Sequence, residues 1–168
     1  MIERPTAETR RAALAYVAGV GVATDSYHHT TPHPDGVGPQ LCMRAALARA
    51  GRSPADIDYV SAHGTGTAHN DAAEAVAVRR VFEREVPLTA TKSLTGHTLG
   101  AAGLTAVILG VESLRRQVIT PSRGAAPVDA QLGVAVVDVP TRAALSHVLV
   151  NAFGFGGSCA SVVIAEAA

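Results

Sequence analysis

Twice between Tyr59 and Gly103 a short apolar run breaks into a loop rich in Gly and Thr, and the loop then leads into a helix-forming stretch. The first run, Ile57 to Ala62, opens into His63-Gly64-Thr65-Gly66-Thr67; the second, Pro87 to Ala90, opens into Lys92-Ser93-Leu94-Thr95-Gly96-His97. A strand that ends in a loop and continues as a helix is the unit of an open α/β sheet, and ligands and catalytic groups collect at the carboxyl ends of its strands. The pattern therefore predicts an α/β fold with two histidines and a lysine presented on adjacent loops.

The other apolar stretches fit this fold. Ala12 to Ala23 reads as a buried strand with Gly19 and Gly21 permitting close backbone approach, and Val134 to Val139, Leu145 to Ala152 and Cys159 to Ala165 read as further strands. The last two flank Phe153-Gly154-Phe155-Gly156-Gly157-Ser158, a hairpin connection; a strand follows the glycines, so this is not a dinucleotide fingerprint. Helices are expected over Gln40 to Ala50, with Gly51 as terminator, from Asn70 to about Phe82, and over Leu99 to Arg116, the last buried all round. The macrodipole at its N-terminus would face His97. Residues 1–11 are polar and read as a flexible N-terminus, and residues 12–168 form one domain.

Composition excludes several classes. The chain is 48% hydrophobic and 17% charged with zero formal net charge, so nothing provides a grip on nucleic acid or an anionic membrane. Thirteen arginines accompany one lysine, Lys92, which lies in the second loop, where a compact ammonium is not interchangeable with a guanidinium fork. Two cysteines without CxxC spacing, no leader-like N-terminus and no apolar run long enough to span a bilayer point to a reducing, cytoplasmic setting.

Some residues support two readings. His28, His29 and His33 crowd the loop from Thr24 to Pro39, either as metal ligands or as a polar loop. Cys42, at the start of a helix, is either an acidified nucleophile or a packed small residue. Asp71 and Glu74 are either an N-cap with its capping-box partner or two carboxylates aimed at Lys92.

Taken together, His-Gly-Thr-Gly-Thr, Asp-x-x-Glu, Lys-Ser-x-x-Gly-His and Asn-Ala-Phe-Gly-Phe-Gly-Gly, in this order from about Ala13 to the C-terminus, resemble the C-terminal half of the β-ketoacyl synthases of fatty acid and polyketide assembly. The resemblance implies a thiolase-like half-domain: a five-stranded mixed sheet with helices, one half of an α-β-α-β-α layered fold. It also implies that His63 and His97 are a catalytic pair. Lys92 would orient the second loop through hydrogen bonds to Asp71 and Glu74. Thr65 and Thr67 would contact a phosphopantetheine arm, and Phe155, with Phe153 and Gly156 beside it, would gate the acyl pocket. No resident cofactor is implied, because phosphopantetheine arrives on an acyl carrier protein, and no metal.

Two imidazole N–H groups converging on a thioester oxygen suit the enolate formed when a malonyl thioester decarboxylates. They must be neutral to serve this way, and the charge of Lys92 would hold their pKa values down. A Schiff-base role for Lys92 lacks a phosphate cup, and thiolase-type cleavage calls for a different residue set. The chain departs from the family in lacking the N-terminal segment that bears the nucleophilic cysteine; Cys159 stands where Asn is usual and Ala68 where Pro is usual. Three expectations follow: a subunit of a split ketosynthase whose partner carries the cysteine, a fragment of a longer enzyme, or a non-catalytic chain-length or scaffold subunit. A start at Met1 just before the first strand favours the first. In each case the helix after His97 would need a large apolar partner surface, of about 2,000 Å² or more.

Overall fold

The computed structural model describes residues 2–4 and 6–167. A short helix α1 (Ala7–Ala12) precedes β1 (Ala15–Thr24), α2 (Val37–Ala50), β2 (Tyr59–Ser61), α3 (Ala68–Phe82), β3 (Pro87–Thr89), the single turn α4 (Lys92–Thr95) and α5 (Ala102–Arg116). There follow β4 (Val118–Ile119), β5 (Ala135–Val136), β6 (Thr141–Arg142), β7 (His147–Phe153) and β8 (Ser158–Glu166). The main sheet has the order β1-β8-β7-β2-β3-β5, and β4 pairs with β6 in a separate ribbon. β8 runs antiparallel to both its neighbours and the remaining pairs are parallel, so the sheet is mixed.

Burial alternates along the central strands. Val60, Leu88, Leu149 and Val163 join Met43, Ala46 and Leu47 of α2 and Ala77, Val78 and Val81 of α3 in one core. Tyr59, Val148, Val150 and Ile164 join Ala106 and Leu114 of α5 in a second core on the opposite face. The period-2 alternation of a sheet covered on both faces thus assigns each residue to a helix layer.

Several expectations need correction. The resemblance implied five strands; the sheet has six, the sixth being the edge strand β5, and the strand expected over Val134 to Val139 pairs only over Ala135–Val136. Met1 and Pro5 lie outside the described residues, but the segment read as a flexible N-terminus contains α1, whose N-cap Thr6 exchanges hydrogen bonds with Thr9. Helix α2 starts three residues earlier than expected, at Val37, so Cys42 sits in its second turn and is fully buried. The stretch from Leu99 divides into a 3-10 turn, Leu99–Ala101, and α5 proper. Nor is α5 buried all round: Leu104 and Ile108 are 53% and 55% exposed.

Candidate active site

The two loops meet at the carboxyl ends of β2 and β3. The chain leaves β2 through Ala62, whose N–H donates to Thr89 O at 2.7 Å, and turns sharply at Gly64, where φ is +44°. A Cβ at Gly64 would come within 2.5 Å of the Ala90 Cβ, so the two loops can approach only because this residue is glycine. The turn leaves the backbone N–H groups of His63 and Gly64 without a strand partner. Both donate to the carboxylate of Glu74, at 2.8 and 2.9 Å, and Asn151 Nδ2 donates to the same carboxylate at 3.0 Å.

This arrangement settles the reading of Asp71 and Glu74. Helix α3 begins at Ala68 with Thr67 at its N-cap, so Asp71 lies inside the first turn and Glu74 is no capping-box partner. Neither carboxylate hydrogen-bonds Lys92 among the described residues. Lys92 Nζ instead donates to the His63 carbonyl oxygen and lies 3.3 Å from His63 Nδ1, while Asp71 accepts from Asn70 Nδ2 at 3.0 Å. The carboxylates act on Lys92 through space: burial pushes the ammonium pKa down, and the charges of Glu74 and Asp71 push it back up. Complete burial raises the Glu74 pKa against the lowering effect of its three N–H donors.

His63 is buried, and its pKa is lowered to about 3, first by burial, then by the Lys92 charge and by His97. Burial, more than the expected Lys92 charge, therefore keeps this ring neutral. The ammonium can only donate, so His63 Nδ1 is the acceptor and the proton sits on Nε2. In exposed His97, Nδ1 accepts the backbone N–H of Leu99 at 3.1 Å, and the neutral ring again carries its proton on Nε2. The donor that faces His97 thus comes from the 3-10 turn ahead of α5. Leu99 holds this position with φ +51°, a strained conformation at the site's edge. The two imidazoles stand 5.6 Å apart between centroids, edge to face at 81°, and the Phe153 ring packs 5.3 Å from His63.

These groups open onto a cavity of ≈ 650 Å³, which is also lined by Thr65, Thr67 and Phe155. Thr65 and Thr67 pair through their hydroxyls at 2.9 Å. Phe155 is 81% exposed on the hairpin turn and so does not close the cavity. Gly156, with φ +75°, donates its N–H to His29 O at 2.7 Å, and Asp25 N–H donates to Gly157 O, so the loop after β1 clasps the turn. His28 and His29 of that loop form part of the cavity wall and stack on each other, while the backbone N–H of His33 donates to Asp25 and its ring lies outside the lining. Among the described residues no group of three or more His, Cys, Asp or Glu could hold a metal, and no helix is long and apolar enough to cross a membrane.

Burial raises the Cys42 thiol pKa to about 11 and that of Cys159 to about 12, which removes the nucleophile reading of Cys42. Asn151 and Asp25 were not singled out in the sequence. Asn151 opens the Asn-Ala-Phe-Gly-Phe-Gly-Gly motif and could have been found there; Asp25 lies in an irregular loop, and no local pattern marks it.

Comparison with known proteins supports the same assignment. Residues 14–126 match the family described as β-ketoacyl synthase, C-terminal domain. The 3-oxoacyl-acyl-carrier-protein synthase 2 of Vibrio cholerae is 39% identical over 155 residues, which are 89% of this chain and 37% of that protein. Among solved structures, a type II PKS ketosynthase in complex with its acyl-carrier protein and bound to the hexaketide superposes with a TM-score of 0.89 at 27% identity, over 94% of this chain and 40% of that one. The ishigamide ketosynthase/chain length factor gives 0.88 at 31% identity, over 94% and 40%. The chain spans well under half the length of the relatives it matches. With the mixed sheet, its covering helices and the paired histidine loops, these matches place the chain in the β-ketoacyl synthase family, as the C-terminal half of its thiolase-like fold.

Proposed function

We propose that this chain supplies the His/Lys/His part of a β-ketoacyl-acyl-carrier-protein synthase site. It would catalyse decarboxylative condensation of a malonyl thioester with an acyl chain held on a cysteine of a partner polypeptide, the N-terminal half, in the cytoplasm. The observation that carries this reading is His63: buried, neutral, its Nδ1 facing Lys92 and its Nε2–H free to act beside that of His97. Two such donors stabilise the negative charge that develops on the thioester oxygen when the C2–carboxylate bond breaks, CO₂ leaves and its electron pair passes into the enolate. The enolate carbon then attacks the acyl thioester, a carbon–carbon bond forms, and the partner's cysteine leaves as thiolate. The malonyl group arrives on the phosphopantetheine arm of an acyl carrier protein, and the arm passes Thr65, Thr67, Phe153, Phe155 and Gly156.

The need for a partner rests on two features. Neither thiol of this chain is poised to ionise. Leu104 and Ile108 on α5, Leu99 on the turn ahead of it, and Val20 and Val22 on the edge strand β1 are also exposed to solvent, apolar side chains of the kind that an interface covers. A non-catalytic chain-length subunit is the second reading, prompted by the likeness to the ishigamide ketosynthase/chain length factor. Retention of His63 and Lys92 in hydrogen-bond contact, with the His97 ring edge to face with His63, argues for the catalytic one.

Native mass spectrometry on the chain purified gently from its producer, after treatment with an acyl-thioester mimic that traps reactive cysteines, tests the proposal. The expected result is a heteromer with the label on the partner and none on Cys42 or Cys159. In that heteromer His63→Ala and His97→Ala should each lower malonyl decarboxylation by about 10²- to 10³-fold. A stable, monodisperse monomer, or full decarboxylation in both variants, overturns it.

A further inference from the structure

Behind the His63 loop a row of polar side chains crosses the apolar interior between the sheet and helices α2 and α3. Cys42 and Ser161 are fully buried, Asn151 is 1% exposed and Glu74 3%. Asn151 lies two residues beyond Leu149 on β7, so the alternation of the strand turns it toward the core that holds Leu149 and Val163. An apolar side chain would be the ordinary occupant of such a position, and a buried polar row is tolerable only when each member is satisfied.

Here the bonding is complete and directional. Ser161 Oγ donates to Asn151 Oδ1 at 2.7 Å, and this fixes which end of the amide faces Glu74. Asn151 Nδ2 then donates to Glu74 Oε1 at 3.0 Å, with Met43 Sδ as a weak second contact at 3.5 Å. With the hydroxyl proton of Ser161 committed to Asn151, the single Cys42 thiol proton is shared between two acceptors, Ser161 Oγ at 3.1 Å and Pro39 O at 3.2 Å. The row ends on the backbone N–H groups of His63 and Gly64, the two amides that the turn at Gly64 leaves without a strand partner. What the row delivers is thus the position of the His63 backbone.

We propose that Asn151, oriented by Ser161, is a positioning residue: it fixes the Glu74 carboxylate, which holds the His63–Gly64 turn and so aims His63 Nε2–H into the cavity. The importance of that aim rests on the condensing function proposed above; the coupling of Asn151 to the turn does not.

Asn151→Asp keeps the shape but replaces the donor with a second carboxylate beside Glu74. Ser161→Ala removes only the group that orients the amide. Backbone amide hydrogen exchange, followed by NMR on the labelled chain with any polypeptide that accompanies it, reads the outcome residue by residue. In Asn151→Asp the amides of His63 and Gly64 should exchange about tenfold faster, and in Ser161→Ala faster by a smaller factor. Those of Leu149 and Val163, on the strands that carry the substituted residues, should stay within about twofold.

Unchanged His63 and Gly64 amides would overturn the proposal. So would a uniform acceleration across β7, β8 and α3, which is what a merely structural role produces. If Asn151→Asp does not fold, the same comparison in Ser161→Ala decides. Decarboxylation in the assembled heteromer separates the two ideas: kcat should fall in both variants with KM nearly unchanged. If the two amides respond but neither these variants nor His63→Ala alters decarboxylation, the condensing function fails while the positioning role stands.

Discussion

The two faces of the sheet are built to different degrees of closure, and β1 shows how. On the face toward α2 it presents Gly19 and Gly21, and the helix lies so close that a Cβ at Gly21 would sit 1.9 Å from Cys42 O. On the other face the same strand presents Val17, Val20 and Val22, 47%, 39% and 68% exposed, beside a helix whose outer side shows Leu104 and Ile108. One face is a closed core; the other is a single helix on a sheet with apolar surface left over. The loops of the candidate site rise where these two regimes meet. The side of the site that needs fixed geometry, Glu74 and the row behind it, is anchored in the closed face, while His97 and Leu99 stand at the start of the helix on the open one.

The comparison breaks most visibly at the glycines. Gly21→Val forces side-chain atoms into the backbone of α2, and no rotamer avoids Cys42 O and Ala46 N together. Overpacking of this kind should cost about 3 kcal/mol or more, enough to leave little folded chain, as urea denaturation will show. On the open face the converse holds. Leu104→Asp with Ile108→Asp alters side chains that are half exposed, so the same denaturation experiment should change by about 1 to 2 kcal/mol, from lost helix propensity and the i,i+4 repulsion, less than at Gly21. Association with the proposed N-terminal-half partner should nevertheless weaken by about 100-fold or more, measured by titration of the purified polypeptides, because two carboxylates would be carried into an apolar interface. A double variant that unfolds the chain, or that binds its partner normally, would show the open face to be something other than an unfinished core.

What could be read in the sequence follows the same division between local and distant causes. The strands, the two chemical loops and the glycine-rich hairpin are announced by apolar runs and by residues with special backbone freedom, and these act within a few positions. The role of Glu74 could not be read that way. Asp-x-x-Glu looks like a capping box, but the helix starts at Ala68, and the carboxylate is claimed by two amides that come near it only when β2 and α3 pack. The loop after β1 and the Asn151–Ser161 contact are likewise products of tertiary packing. The sequence marks helix α5 as buried because Ala102 to Val111 is almost wholly apolar, yet composition does not say whether the surface that covers a helix belongs to the same chain. α1 escaped notice because its cap is a Thr-x-x-Thr pair, not the Ser/Thr-x-x-Glu signature.

The smallest expected effect separates the two causes that keep His63 neutral. Burial and the Lys92 charge both lower its pKa, with burial the larger, so Lys92→Met should raise the value from about 3 but leave it below the ordinary value of about 6.5. A histidine whose folded pKa is depressed takes up its proton more readily in the unfolded chain. This site therefore costs stability as pH falls from about 6.5 toward about 3, and the full contribution is present above that window. In Lys92→Met the window narrows from its acid end, and the acid-side loss attributable to His63 should shrink. NMR titration of the His63 ring, paired with thermal melts across the same pH range, reads both quantities. A His63 pKa that does not move would mean that burial by the closed face alone fixes the ring's charge state; one that returns to the ordinary value would mean that Lys92 does so, and that the core under β2 contributes position only.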